Sequence, residues 1–333
     1  MTGPITLEEV ARAAGVSRST ASRVINGDVA SPQSVKAVNR AVKRLGYVPN
    51  RAARTLASQH TDQVAIITPE SPTLIFLDPF VAVVSATTAH SLWQAGLVPL
   101  LALMDPADPV ATTKQFLHRG NVDGIIVTHL RQNDELRKLL TEADLPIVFI
   151  GRPPDGIEAP YVDADNVHSG YIATEYLLKQ GRRRIACVGG PLTMPSAVDR
   201  RTGFLQAHHA VGVEPGPYVE LDFHSASAAA ATVQLLEQRP ETDAVFAETD
   251  FLAAGVLQGV AMTGRSVPGD VAVVGHDDSA TATQVVPQLT TVAQPVEQLG
   301  PAAAGLMVQR LRTGQWGEWP QLFPTELVIR DSA

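Results

Sequence analysis

Four side chains near the N-terminus have types and spacing suited to a specific chemistry. Arg18, Ser19, Ser22 and Arg23 fall at i, i+1, i+4 and i+5 on one side of a helix, with Ala21, Val24 and Ile25 on the other. Two guanidiniums with only short hydroxyls between them offer donors to base edges and phosphates, which is what a helix entering a major groove requires. The formal net charge of −8 argues against nucleic acid until it is split along the chain. Residues 1–60 carry nine Lys and Arg against Glu8, Glu9 and Asp28, a net of +6, which leaves −14 for the remainder. A basic head on an acidic body fits a protein whose head meets phosphates while its body is repelled by them.

Other chemistries find little support. The sequence has no G-x-S-x-G, Walker-type loop, H-E-x-x-H or Cys/His constellation, so neither a hydrolase nor a sugar kinase is expected, and the chain reads as a non-enzyme without metal or cofactor. Gly189-Gly190 follows an apolar run but lacks the spacing of a phosphate-binding loop. The single Cys187 excludes an intrachain disulfide and reads as a small core residue. His208 and His209 are adjacent rather than at i, i+4 and are expected at the surface; Trp93 is expected in the core; Trp316 and Trp319 are expected on a dimer or lobe surface. Arg182-Arg183-Arg184 follows a helix that ends at Gln180-Gly181, where cations favour the carbonyl end. No apolar run approaches the ~18 residues of a membrane span, and MTGPITLEEV lacks the character of a signal peptide, so a cytoplasmic protein is expected rather than an exported solute-binding one.

The elements that must position the arginines are legible from their ends. Thr6-Leu7-Glu8-Glu9 has the form of a capping box, Gly15 supplies a tight turn, and Ser17 caps the helix that carries Arg18. Ser31, Pro32 and Gly46 bound a third helix with Val35, Val38, Val42 and Leu45 as its buried stripe. After the Tyr47-Val48-Pro49-Asn50 link, residues 51–58 form a segment too short to be a stable helix alone, a candidate for folding only on DNA beside a partner chain. From residue 62 onward β-branched runs alternate with helical stretches such as 167–180 and 225–238. Strands are expected at 64–67, 98–102, 124–127, 146–150, 185–188, 219–222, 244–247 and 271–274, the pattern of parallel sheets covered on both faces. So many strands would divide into two lobes, with a ligand at the carboxyl ends of the strands.

The head, TLEEVARAAGVSRSTASRVINGDVASPQSVKAVNRAVKRLGYVPNRAARTLAS, closely resembles the headpiece of the LacI/GalR family of bacterial repressors, with one residue missing in the turn after Asn26-Gly27. The resemblance implies that Arg18, Ser19 and Arg23 read bases and that Thr6, Ser17, Thr20, Ser22 and Asn26 hold phosphates. Tyr47 and Asn50 of the link join this DNA-binding set. Ala53 and Leu56 of the hinge would enter the minor groove, Leu56 as a wedge in the central base step of a palindromic operator.

The body resembles the same family through YVDADNVHSGYIATEYLLKQGRRRIACVGGP, the R-x-x-G-F of Arg200 to Phe204, AVFAETD, VAVVGHDD and PQLTTVAQPVEQLG. The implied fold class is α/β: an all-α three-helix headpiece with a hinge helix, then two doubly wound parallel-sheet lobes of the periplasmic-binding-protein type. The implied division is a headpiece at 1–49, a hinge at 50–60 and an effector domain at 61–333, its near lobe about 61–161 and 294–322 and its far lobe about 162–293 and 323–333. Arg200, Asp277 and Phe223 would clamp the effector from the far lobe. Asp78, Phe80 and Arg152 would face it from the near lobe, with Gln294 at the lobe crossing. Thr249 stands where the family has Asn, and the loop after Phe223 lacks the usual Gly-aromatic pair, so effector identity is not inherited. The implied function is a homodimeric repressor of a pseudo-palindromic operator on double-stranded DNA, controlled by a small molecule, a sugar by the commoner family pattern.

Overall fold

The computed structural model describes residues 5–26, 29–47, 60–68, 78–105, 107–117, 121–128, 130–221 and 225–333. The chain divides into two compact units, Met1–Thr61 and Asp62–Ala333.

In the first unit, α1 (Leu7–Ala14), α2 (Arg18–Asn26) and α3 (Pro32–Leu45) pack around Val10, Ala11, Ala21, Val38 and Ala41. The capping box closes as its sequence requires. The Thr6 hydroxyl accepts from the Glu9 backbone N–H at 3.3 Å and the Glu9 carboxylate accepts from the Thr6 N–H at 2.7 Å, bonds that hold the Glu9 carboxyl below its ordinary range. Gly15 and Gly46 end α1 and α3 with φ of 66° and 65°, a left-handed conformation that a side chain would resist. The stripe of α3 is rotated slightly from its expected position: Ala41 is buried, whereas Val35 is only half-buried and lies outside the cluster.

The second unit is built on two six-stranded sheets. The first holds β1 (Gln63–Thr68), β2 (Val98–Leu103), β3 (Gly124–Thr128), β4 (Ile147–Ile150), β5 (Tyr161–Ala164) and β11 (Gln321–Phe323), in the order β11-β5-β4-β3-β1-β2. The second holds β6 (Ile185–Gly189), β7 (Tyr218–Glu220), β8 (Ala244–Ala247), β9 (Ala272–Asp277), β10 (Thr290–Ala293) and β12 (Glu326–Val328), in the order β12-β10-β9-β8-β6-β7. All pairings are parallel except that of β10 with β12. Helices α4 (Pro79–Gln94), α5 (Pro109–Leu117), α6 (Asp134–Thr141) and α12 (Val296–Thr313) serve the first lobe; α7 (Asn166–Lys179), α8 (Pro195–Ala210), α9 (Ser225–Gln238), α10 (Asp250–Met262) and the short α11 (Ala280–Gln284) serve the second. Alternate strand residues feed opposite faces: Val64 and Ile66 pack with α4 and α12, while Ala65 and Ile67 pack with Leu136 and Leu140 of α6. No helix among the described residues is long and apolar enough to cross a membrane.

The chain passes between the lobes after β5, after β10 and between β11 and β12. The first passage lies at Asp165, later than the expected 161–162, because β5, paired with β4 at Tyr161 and Val162, goes on pairing with β11 through Ala164 and so stays in the first sheet. Two other expectations are corrected. His208 is fully buried: it shares the inward row of α8 with Phe204, its Nδ1 lies 2.9 Å from the Phe204 carbonyl oxygen, and only His209, turned one position around the helix, is exposed. Trp93 is 70% exposed, since Val84, Thr88 and Leu92 form the buried row of α4 and Trp93 lies one position past it. Cys187 is buried in the second lobe, where burial pushes its thiol up, as a core residue requires.

Candidate functional site

The head presents the arginine-bearing side of α2 to solvent. Arg18, Ser19 and Arg23 are exposed, with Thr20 and Ser22 half-buried behind them. Ser17 organises the start of the helix: its Oγ accepts from the Thr20 N–H at 3.2 Å and lies 2.9 Å from the Ser19 hydroxyl and 2.8 Å from that of Thr20. Hydroxyls and backbone N–H groups therefore converge at the positive end of a helix dipole, which suits a phosphate. Thr6 is exposed at the start of α1, and Tyr47 is half-buried against the headpiece core. The side chain of Asn26, and Asn50, Ala53 and Leu56, lie outside the described residues.

Between the lobes, the predicted polar residues are drawn into two hydrogen-bonded groups. Arg200 on α8 is only 7% exposed. Its Nε donates to Asn166 Oδ1 at 2.8 Å and its Nη1 to the Glu248 carbonyl oxygen. The Asn166 amide in turn donates to Asp163 Oδ1 at 3.0 Å, and Asp163 Oδ2 accepts the Arg152 backbone N–H at 2.8 Å. Sequence allows this close approach because α7 and α8 meet at glycines; a methyl group on Gly170 would overlap the carbonyl of Arg200. Burial raises Asp163 to about 6 despite the bonds it accepts.

Asp277, at the end of β9, has a left-handed φ of 118°, a strained geometry for a non-glycine residue. Its Oδ1 accepts from Gln294 Nε2 at 2.7 Å and lies 2.9 Å from His276 Nδ1. The carboxylate also accepts a hydrogen bond from the Asp250 backbone. Asp250 differs: Oδ1 accepts from Thr291 Oγ1 at 2.6 Å and Oδ2 from the Ser279 N–H at 2.7 Å, which makes it scaffold. Burial raises both carboxyls to about 7, and each feels a further negative neighbour, Asp277 for Asp250 and Asp78 of the near lobe for Asp277. His276 is held well below its ordinary range by burial and by the Arg200 charge, so a neutral ring with its proton on Nδ1 is the form that can donate to Asp277.

The other expected residues are partly engaged. Asp78 caps α4 through Phe80 N–H at 2.9 Å, and Phe80 packs against the near-lobe core. The Thr249 hydroxyl accepts from Leu252 N–H at 3.1 Å as the cap of α10. Arg152 directs Nε and Nη2 at the two oxygens of Asp199, both at 2.9 Å, and Nη1 at Asp155. Phe223 lies outside the described residues. Sequence reasoning missed Asp163, Asn166, Asp199 and His276, and it missed Glu248. The Glu248 carboxyl, buried beside Tyr218, accepts the Gly190 N–H at 3.0 Å. Gly189-Gly190 thus cradles a carboxyl group of the chain itself, and a side chain at Gly189 would collide with it.

Comparison with known proteins decides the family. Residues 6–50 match the model described as bacterial regulatory proteins, lacI family, and residues 174–333 that of a periplasmic binding protein-like domain. The HTH-type transcriptional regulator CelR of Thermobifida fusca is 41% identical over 337 residues, 98% of each chain. This chain belongs to the LacI family. As in that family, a DNA-binding helix-turn-helix is joined to a periplasmic-binding-protein-like body, and the protein is a regulator of transcription. The ribose operon repressor of Escherichia coli K12 is 30% identical over 92% of this chain and 93% of its own. Among solved structures, a CelR–cellobiose complex is 38% identical, with a TM-score of 0.78 over 99% of this chain and all of that one. The lac repressor dimer bound to operator and the anti-inducer ONPF is 25% identical, with a TM-score of 0.86 over 99% of both. These LacI-family relatives are regulators rather than enzymes.

Proposed function

We propose that this LacI-family chain is a dimeric repressor, released from a pseudo-palindromic operator by a carbohydrate inducer, with cellobiose the first candidate. The observation that carries the reading is full-length likeness to CelR, including a CelR structure in complex with cellobiose. The cleft chemistry supports it: the Asp277 carboxylate and the Arg200 guanidinium supply an acceptor and donors suited to neighbouring hydroxyls, and Phe223 is the candidate for covering the C–H face of a sugar ring. Gln294 fixes Asp277, and Asp78, Phe80, Arg152 and Thr249 border the same cleft.

On DNA, Arg18, Ser19 and Arg23 read bases. Thr6, Ser17, Thr20, Ser22, Asn26, Tyr47 and Asn50 position the backbone, and Ala53 and Leu56 of the hinge act in the minor groove. Dimerisation is supported by the edge of the first sheet, where Leu101 and Leu103 of β2 are 46% and 47% exposed on a strand paired on one side only. Operator symmetry follows from protein symmetry. Inducer closes the lobes and disfavours the arrangement that binds the operator. The work is done in the cytoplasm, where the operator is.

The test is a thermal-shift screen of sugars on the purified chain, paired with retardation of operator-containing fragments. Cellobiose is expected to raise the melting temperature and release DNA. A sugar of another class doing so corrects the effector; no sugar doing either refutes a carbohydrate effector; retention of no fragment at low salt refutes the repressor.

A further inference from the structure

Arg152 lies in the loop between β4 and β5 of the first sheet, whereas Asp199 lies on α8, which connects β6 to β7 of the second. Their contact therefore spans the cleft. It is a paired one, Nε to Oδ2 and Nη2 to Oδ1 at 2.9 Å each, the geometry in which a guanidinium and a carboxylate are most strongly and most directionally bound. Asp199 is only 18% exposed and Arg152 30%, so water and salt screen the pair weakly. The hydrogen bond to Asp199 and its charge hold the guanidinium above its ordinary range. A second contact joins the lobes close by: the Gln132 N–H donates to the Thr193 carbonyl oxygen at 2.8 Å.

The pair also closes a ring. From the Arg152 backbone N–H the bonds run to Asp163 at 2.8 Å, from Asp163 to Asn166 at 3.0 Å, from Asn166 to Arg200 Nε at 2.8 Å, then one residue back along α8 to Asp199, and across the cleft to the Arg152 side chain. Asp163 and Asn166 flank Asp165, the point where the chain first crosses between lobes. Every member is thus tied to a lobe crossing or to the guanidinium that faces the effector.

We propose that Arg152 is a positioning residue, a latch that holds the far lobe closed over the effector and sets Arg200 through Asp199, rather than a group that touches the effector itself. This rests on the effector reading above. An effector hydroxyl offered to the same edge of Arg152 would have to displace a charge-assisted double bond and leave a mostly buried carboxylate unpaired, a poor exchange. The latch adds to effector affinity by favouring closure, and its loss lowers the populated fraction of the binding-competent form.

The full chain is tested as Arg152→Gln, Asp199→Asn and the double variant. Lys138→Cys on α6 and Gln234→Cys on α9 are exposed sites for spin labels, diluted with unlabelled chain; the native Cys187 is buried and stays unlabelled. Without sugar, each single variant is expected to lengthen and broaden the inter-label distance. Cellobiose binding should weaken on the order of tenfold in each, and the double variant should lose no more than either single. Unchanged distances in both singles overturn the latch. So do losses that multiply in the double variant, and weakened binding in Arg152→Gln alone with unaltered distances makes Arg152 a direct ligand. If the unaltered chain binds no cellobiose, the choice of sugar is refuted while the distances, which need no sugar, still decide the latch. Should either variant melt before measurement, Arg152→Lys keeps the charge without the paired geometry and is expected to give an intermediate distance; an unaltered one again overturns the proposal.

Discussion

At the scale of single residues, the division of labour in the head can be separated by chemistry. Arg18 stands exposed at the start of α2, whereas Lys43 stands exposed in the last turn of α3. Replacing Arg18 with Ala is expected to cost ~1–3 kcal/mol on the best operator and to flatten preference at one base pair, while Lys43→Ala weakens all sequences alike and reduces the salt slope. Binding titrations on varied half-sites at several salt concentrations distinguish them; undiminished base preference in Arg18→Ala removes its reading role. Glu248 allows a second forecast. The one hydrogen of Tyr218 is directed mainly at the Gly190 carbonyl oxygen at 2.7 Å and is only weakly shared with the two Glu248 oxygens, each 3.3 Å away, so an ionised Glu248 gains little from it. Burial raises this carboxyl to about 7, and Glu248→Gln, whose amide can donate there permanently, should raise the melting temperature at pH 8 and change it little at pH 5.5. A lower melting temperature at pH 8 would refute the protonated form. None of this was legible in AVFAETD, because a carboxyl group's protonation depends on neighbours that only the fold supplies. Resemblance singles out Arg200 and Asp277, but the groups that hydrogen-bond them, Asn166 and His276, carry no local signature.

Elements whose ends are written in short-range chemistry were read correctly to the residue. The Thr6 box, the Ser31 cap with Pro32, and the glycines at 15 and 46 all act within one turn of the helix they bound. Strands β5, β10, β11 and β12 were not anticipated, since segments of three or four residues with Asp, Thr, Gln or Glu among them become strands through the partners they pair with. The lobe crossings fall at these same strands, which is why the first boundary was placed too early. Helix contact, in turn, is controlled by residues that sequence reading passed over. Gly170 on α7 and Gly203 on α8 each face the other helix's backbone, and a Cβ on either would overlap it. Gly170→Ala is therefore expected to destabilise the body by about 1–3 kcal/mol and to move Arg200, lowering the melting temperature and weakening sugar binding together. Calorimetry and binding titration on one preparation would show both, and a variant with undisturbed affinity would mean that α8 can shift without moving the clamp.

For the whole molecule, the buried carboxyls dictate how stability responds to pH. Asp163 is raised to about 6 and Glu248, Asp250 and Asp277 to about 7, each chiefly by burial and each from an ordinary value near 4. An acid whose folded value is raised binds its proton more tightly when folded, so its contribution to stability is complete below its unfolded value and is lost as pH climbs through 6 and 7. His208 and His276 act with the opposite sign: both are pushed down by burial from 6.5, so they favour the fold above that value and cost stability as acid drives protons onto the unfolded chain. Between pH 8 and 6.5 the carboxyls dominate and the body should become more stable as pH falls; below 6.5 the two histidines offset about half of what the four carboxyls add, so the gain continues but is smaller than the carboxyls alone would give. Calorimetric melts of the full chain from pH 8 to 5.5 are expected to rise throughout as the pH falls. Asp250→Asn should reduce the rise, because it removes one of the titrating groups while keeping an oxygen to accept from Ser279 or Thr291. A melting temperature that climbs steadily from pH 6 to 8 would mean that these carboxyls are ionised at little cost in the folded protein, and the cleft would then hold enough water or countercharge to solvate them.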